Sequence, residues 1–236
     1  TLTTTNPSKA ARKALLNAML AHVPFDGWTR NALRNAVKDT DLPRGADALY
    51  FPGGALEVIR FWSEACDEQV EAHLASLDQG NMKIRDKVTQ GVIARLEAIG
   101  RHEEAARRAS SRLVLPDLAA TGVKQIWQSA HMIWRTIGDT STDANYYSKR
   151  AILSSVIGST LPIWLSDQSE DKATARAFLD ARIENVMGFE KMKWRLKSAS
   201  KDLPNPAEVL GQLRYGGLDI LTRSKKGRAR RRRYSR

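Results

Sequence analysis

Residues 151–165 constrain the fold more than any other stretch, because Ala151, Ile152, Leu153, Val156, Ile157, Leu161, Ile163, Trp164 and Leu165 leave scarcely any polar face. A helix of this kind is stable only when other helices wrap it. Pro162 lies inside the stretch, where it removes a backbone donor and crowds the preceding turn, so the helix is expected to kink or end near Leu161. The stretch is too short to span a bilayer, and no apolar run of the roughly 18 residues needed for that occurs elsewhere.

The wrapping helices are legible from periodicity. Val123, Ile126, Trp127, Ala130, Ile133, Trp134 and Ile137 mark one helix face, and Gly138 follows where a C-terminal cap belongs. A second stripe runs through Ile84, Val88, Val92, Leu96 and Ile99 to Gly100, and a third through Ile59, Trp62, Cys66, Val70 and Leu77. Period-two alternation is not sustained anywhere. The chain therefore reads as all-α, with roughly nine or ten helices. Turns are expected at residues 24–27, 41–45, 51–54, 115–117 and 138–143. A length of 236 residues with 42% hydrophobic content suffices to bury a core.

The net charge of +12 points to nucleic acid or an anionic surface until its position is considered. Nine cations and no acid lie in residues 223–236, so removing them leaves the rest of the chain at +3. Ahead of this tail, Pro204 and Pro206 mark a linker over residues 201–205. Residues 206–222 then read as an amphipathic helix with Val209, Leu210, Leu213, Ile220 and Leu221 on one face, a pattern suited to lying on a membrane surface. Residues 1–55 form a helix-turn-helix-like unit and residues 56–200 the larger helical ligand-binding and dimerisation part. The single Cys66 excludes an internal disulfide. The sequence begins at Thr1, which leaves an upstream targeting segment open.

Helices over residues 8–22 and 29–38, a turn at 41–44 and a short helix ending at Tyr50 have helix-turn-helix proportions. The string ALYFPGGALEVI resembles the segment that closes the DNA-binding unit of TetR-family regulators. A reading helix needs cations and amides toward phosphates and base edges. The segment 44–50 offers Arg44 but also Asp47, with Asp39 and Asp41 beside it, and Gly53 stands where regulators carry a Lys. Specific nucleic-acid binding is therefore not expected, although a DNA-binding regulator remains the main alternative. Catalytic signals are also missing. The four histidines, His22, His73, His102 and His131, have no partner at metal-ligand spacing, no E-x-x-H pair occurs, and there is no nucleophile elbow or Gly-rich phosphate loop. No enzyme activity, metal or cofactor is expected.

The string IWRTIGDTSTDANYYSKRAIL, residues 133–153, is the most specific in the chain. It resembles the signature of the Coq nine family of ubiquinone-biosynthesis proteins. A Trp-bearing helix is followed by GD, STD, N, Tyr and a basic pair, here Gly138, Asp139, Ser141, Thr142, Asp143, Asn145, Tyr147, Lys149 and Arg150. HVPFDGWT, FPGGALEVIRFW, KIRDKV and WLSDQSED also look like family landmarks, so the resemblance covers residues 15–194. It departs at Tyr146, where many members carry Trp.

The resemblance implies a TetR-like helical bundle that forms a homodimer, does no chemistry, and binds isoprenoid quinone intermediates or phospholipid. It also implies a partner, the membrane-bound di-iron hydroxylase acting on demethoxyubiquinone, and a peripheral position. That position is the cytoplasmic face of a bacterial inner membrane or the matrix side of the mitochondrial one. For the lipid slot the candidates are Trp134, Ile137, Val156, Ile157, Leu161, Trp164, Phe178, Ile183 and Met187, with an ordinary packed core as the alternative. For the partner surface they are Asp143, Tyr146, Tyr147 and Arg150, with Tyr146 preferred. Asp143 is also well placed to cap the following helix with its carboxylate.

Overall fold

In the computed structural model, residues 7–186 are described, and they hold nine α-helices and no strand. The helices are α1 (Pro7–Asp26), α2 (Arg30–Lys38), α3 (Ala46–Tyr50), α4 (Ala55–Ser76), α5 (Ile84–Glu97), α6 (Glu103–Leu113), α7 (Ala119–Thr136), α8 (Ala144–Ser166) and α9 (residues 173–186). The chain up to Asn185 forms one compact unit, and a second begins at Val186. Expectations for Met187, the linker, the amphipathic stretch with Val209, Leu210, Leu213, Ile220 and Leu221, and the basic tail lie outside the described residues.

Local chemistry explains the first three helices. Thr29 caps α2 by accepting the Ala32 N–H at 3.1 Å, and Ala32, Leu33, Ala36 and Val37 then form its buried stripe. The expected turn at 24–27 begins late. Helix α1 runs through Pro24 to Asp26, because buried Val23 holds the turn in place and Arg108 of α6 takes the Pro24 carbonyl at 3.0 Å. Trp28 donates to Ala105 O at 3.0 Å, and Arg12 bridges to Glu57 at 2.8 Å, so α1 and its connection to α2 are tied to α4 and α6.

Helix α4 keeps the expected stripe through Ile59, Trp62, Cys66 and Val70, but its last buried member is Leu74, one turn on from Val70. Leu77 is the C-cap residue. On α5, Val88, Val92 and Leu96 are buried and Ile84 is half exposed, and Ile99, just past the helix end, is buried as well. Gly91 lets α5 approach α7 closely, since a Cβ there would sit 2.8 Å from Cγ2 of Ile133.

Helix α8 is the wrapped helix of the bundle, with Leu153, Val156, Ile157, Trp164 and Leu165 buried. Its expected end near Leu161 does not occur. The helix continues to Ser166 because the turn beyond Pro162 is held by packing of Trp164 and Leu165 and by donors. Arg107 donates to Leu165 O at 2.7 Å and Lys172 to Trp164 O at 3.2 Å, supplying partners at a terminus that would otherwise lack them. Asp167 then organises the connection to α9. Hydrogen bonds from the Ser169 hydroxyl, its N–H and the Ala175 N–H hold the Asp167 carboxyl at about 2.

Candidate functional site

Two places bring together residues singled out by the sequence. The first is the connection between α7 and α8. Ile137 is the C-cap of α7, and Gly138 follows with φ +85, a conformation glycine adopts without penalty. The Gly138 N–H bonds to Arg135 O at 3.0 Å and the Asp139 N–H reaches back to Trp134 O at 2.9 Å, the paired pattern of a Schellman cap. This cap carries Asp139 back against the start of α8.

The Asp139 side chain, only 4% exposed, accepts Lys149 Nζ at 2.7 Å, Ser141 Oγ at 2.8 Å and Arg150 Nη1 at 3.0 Å. Burial pushes this carboxyl up, but the hydrogen bonds from Lys149, Ser141 and Arg150 outweigh burial and hold it at about 2. Arg150 is 2% exposed. Its Nε donates to His131 Nδ1 at 3.0 Å, its Nη1 also reaches Tyr146 O at 3.1 Å, and its guanidinium carbon lies 3.5 Å from the centre of the Tyr146 ring. Arg has only donors, so His131 Nδ1 accepts and the imidazole is neutral with its proton on Nε2. Burial, then the charges of Arg150 and Arg135, lower the His131 pKa, in agreement with that state.

These contacts separate the four residues expected at a partner surface. Arg150 and Tyr146 face inward: the first is buried in the ion pair and the second is half-buried beneath it with its hydroxyl 3.3 Å from His131. The outward aromatic is Tyr147, 64% exposed, with its ring centre 6.5 Å from Trp127 and 5.1 Å from Tyr146. Asp143 is exposed and occupies the N-cap position of α8, but its carboxylate caps nothing; the bond to the Tyr146 N–H comes from the Asp143 backbone carbonyl at 2.8 Å. The acid that organises the turn is Asp139.

The second place is a cavity of about 670 Å³ between α4, α5, α6, α7 and α8. Its apolar wall includes Trp62, Cys66, Leu96, Ile126, Ile157 and Leu161. The inner face of α6 explains the void. Of its buried residues, Ala106 and Ala109 line the cavity, so the helix presents methyl groups where larger side chains would fill the space. Gly122 and Gly158 add no bulk on α7 and α8. Val114 and Val123 also line the cavity and are 73% and 67% exposed, which places its open side at the connection between α6 and α7.

Of the residues expected in a lipid slot, Ile157 and Leu161 line this cavity. Trp134, Ile137, Val156, Trp164, Phe178 and Ile183 do not; Trp134 instead donates its indole N–H to Lys149 O at 3.1 Å, and Trp164 is packed beside Arg176. The physical reason is that a helix apolar on all sides gives no sign of which stripe meets a void. Trp62, Cys66 and Ile126 were missed for the lining, and the alanine face of α6 was the signal that marked it.

Ser63, Arg95, Gln125 and Ser129 form a polar end of the cavity, backed by Asp67. Asp67 of α4 accepts Arg95 Nε at 2.7 Å and Ser129 Oγ at 2.8 Å, and Arg95 Nη2 donates to Ser63 Oγ at 3.0 Å. Burial raises the Asp67 pKa against the opposing pull of Arg95 and Ser129. Burial likewise pushes the Cys66 thiol up, leaving it protonated and unreactive. Among the described residues no group of three or more His, Cys, Asp or Glu is arranged to hold a metal. Nor is any helix there long and apolar enough to cross a membrane. Helix α3, at the reading position of the helix-turn-helix-like unit, contains no Lys or Arg and exposes Leu49.

Comparison with known proteins agrees with the motifs. The COQ9 family model matches residues 119–190, the segment from α7 into α9. The mitochondrial ubiquinone biosynthesis protein COQ9 of Drosophila melanogaster is 28% identical over 187 residues, covering 78% of this chain and 57% of its own. The Homo sapiens protein is 26% identical over 196 residues, covering 80% and 61%, and COQ9-B of Xenopus laevis is 29% identical, covering 75% and 62%. The chain thus spans about three fifths of the length of these relatives. Among solved structures, the TetR transcriptional regulator from Nitrosomonas europaea aligns with a TM-score of 0.59 at 15% identity, over 73% of this chain and 95% of that one. At that identity the likeness establishes the fold. The chain is therefore a TetR-like helical bundle whose sequence is similar to the COQ9 family of ubiquinone biosynthesis proteins, over a matched segment that includes the clasp of Gly138, Asp139 and Arg150 between α7 and α8.

Proposed function

We propose that this chain is a non-enzymatic accessory protein of ubiquinone biosynthesis that holds an isoprenoid lipid in the cavity between α4 and α8. In this reading it presents demethoxyubiquinone to a membrane-bound di-iron hydroxylase. The observation that carries the reading is the cavity itself, an apolar space of about 670 Å³ open at one side, in a chain similar to COQ9. Its size falls in the range of small-molecule sites. Tyr147 beside Trp127, with exposed Asp143 on the same turn of chain, is the surface offered to the hydroxylase. A homodimer and a membrane contact through residues 206–222 and the basic tail complete the proposal.

Mass spectrometry of organic extracts from natively purified protein tests the central claim. Co-purified isoprenoid or phospholipid is the expected result, and protein free of lipid under gentle conditions overturns it. Specific DNA recognition is the second reading, favoured by the TetR-like fold. Against it stands α3, whose five residues carry no cation to meet a phosphate. Selection of one operator from random DNA at physiological salt, by protein lacking residues 223–236, is the result that reverses this order.

A further inference from the structure

We infer that the cavity ends in a polar floor, made by Arg95, Gln125 and Ser63, that recognises a neutral hydrogen-bond-accepting oxygen at one end of an otherwise apolar ligand. All three side chains line the cavity. They come from α5, α7 and α4, so no single helix face displays them together.

The chemistry of the floor is an excess of donors. Arg95 uses Nε on Asp67 and on Ser129 Oγ, at 2.7 Å and 3.2 Å, and Nη2 on Ser63 at 3.0 Å. Its Nη1 makes no hydrogen bond among the described residues and is not fully buried. Gln125 Nε2 is buried and likewise has no hydrogen-bond partner. A buried donor without an acceptor destabilises the folded protein, and a ligand oxygen placed against Gln125 Nε2 removes that penalty. Among the described residues the other cation on the cavity wall, Arg107, is engaged with Leu165 O and Glu104.

Charge selects the kind of oxygen. Asp67 is paired with Arg95, so the floor carries no net charge. Behind it, Ser63, Asp67 and Gln125 also border an outer cleft in which Glu64 shares the wall with Arg60 while Glu68 and Glu71 are paired with Lys9 and Arg135, so the cleft adds no surplus positive charge to hold a phosphate or a carboxylate. A ring carbonyl or an ester carbonyl satisfies the donors without adding charge. The apolar remainder of such a ligand then runs past Ile126 and Leu161 toward the open side at Val114 and Val123.

This inference rests on the lipid-binding reading, and the experiment separates the two. Full-length protein stripped of lipid is titrated with decylubiquinone, whose quinone ring quenches the fluorescence of Trp62 on the cavity wall. Farnesene, an isoprenoid hydrocarbon without oxygen, is then added as competitor. Gln125→Leu is expected to weaken decylubiquinone about five-fold and leave farnesene within two-fold of its wild-type affinity. Gln125→Glu keeps the shape but faces the carbonyl with an acceptor, and is expected to weaken decylubiquinone about ten-fold or more with farnesene again unchanged. Loss of both probes together, or of neither, overturns the polar floor while leaving a lipid cavity in place. Failure of both probes to bind wild-type protein overturns the lipid-binding reading itself. Tighter binding of oleate than of decylubiquinone, lost in Gln125→Leu, shows a floor that reads carboxylate and overturns the assignment to a neutral oxygen.

Discussion

The clasp between α7 and α8 and the cavity between α4 and α8 share helices but are built on opposite terms. At the clasp the charged groups are matched: the Asp139 carboxylate takes three donors, and Arg150 is divided between Asp139, His131 and Tyr146. At the cavity the walls are methyl groups and the polar floor keeps donors unmatched. The first arrangement fixes geometry and the second leaves room. Motif density in this chain therefore tracks rigidity, and the space for a ligand is recorded in small residues that form no motif.

The comparison breaks first at Asp139. Its removal in Asp139→Ala leaves Arg150 buried with no counter-charge, for which the expected loss is about 3–5 kcal/mol in urea unfolding. A loss below about 1 kcal/mol means that the clasp is dispensable and the contrast is false. The pH dependence sharpens the same point. A carboxyl held at about 2 in the folded state, below the ordinary carboxylate value, contributes stability that is fully present above about pH 4. That contribution, about 2 kcal/mol, is lost as pH falls through 4 toward 2. Thermal melts of wild type and Asp139→Asn should thus converge over that interval and differ most at neutral pH.

How far the sequence predicted these regions follows from the same contrast. Gly138 was readable as a cap because a left-handed residue after an apolar stripe has few other uses. Asp143 was a plausible cap by position alone, yet Asp139 holds the turn, because the Schellman cap swings it under α8 and spacing does not show that swing. Tyr146 and Tyr147 are neighbours in sequence and differ by their contacts: one lies under Arg150 and the other in solvent. Pro24 and Pro162 marked helix ends that tertiary donors from Arg108 and Arg107 carried the chain past. Of the lipid candidates, Ile137, Val156, Ile157, Trp164 and Ile183 are buried and Trp134, Leu161 and Phe178 half-buried, but the void is cut by α6, whose alanines look unremarkable one at a time.

Adding volume tests the contrast at intermediate scale. Gly91→Ala places a methyl group 2.8 Å from Ile133 Cγ2 in a packed contact, with an expected loss of about 1–3 kcal/mol. Ala109→Leu adds more volume but into the cavity, and should be neutral or stabilise by up to about 1 kcal/mol while reducing the lipid recovered from purified protein. Calorimetry on the two variants gives opposite signs if the packed and open regions are correctly identified. Equal destabilisation shows that the cavity closes in solution.

The smallest effect on stability is expected at Tyr147, and there the comparison turns from folding to partners. Its ring is 64% exposed and rests on Trp127 and Tyr146, so Tyr147→Ala removes little buried surface and should cost no more than about 0.5 kcal/mol. Tyr146→Ala, by contrast, removes the ring 3.5 Å from the Arg150 guanidinium and should destabilise by about 1–2 kcal/mol. Exposed paired aromatics are the kind of residue on which protein interfaces concentrate their energy. In a binding assay with the hydroxylase, Tyr147→Ala is expected to weaken association by about ten-fold or more, far beyond its effect on the fold. Asp143→Lys should act in the same direction, since this exposed carboxylate caps nothing and its reversal leaves α8 intact. If Tyr146→Ala weakens the complex while Tyr147→Ala does not, the inward aromatic acts through the shape of the clasp. The exposed pair is then not the docking surface.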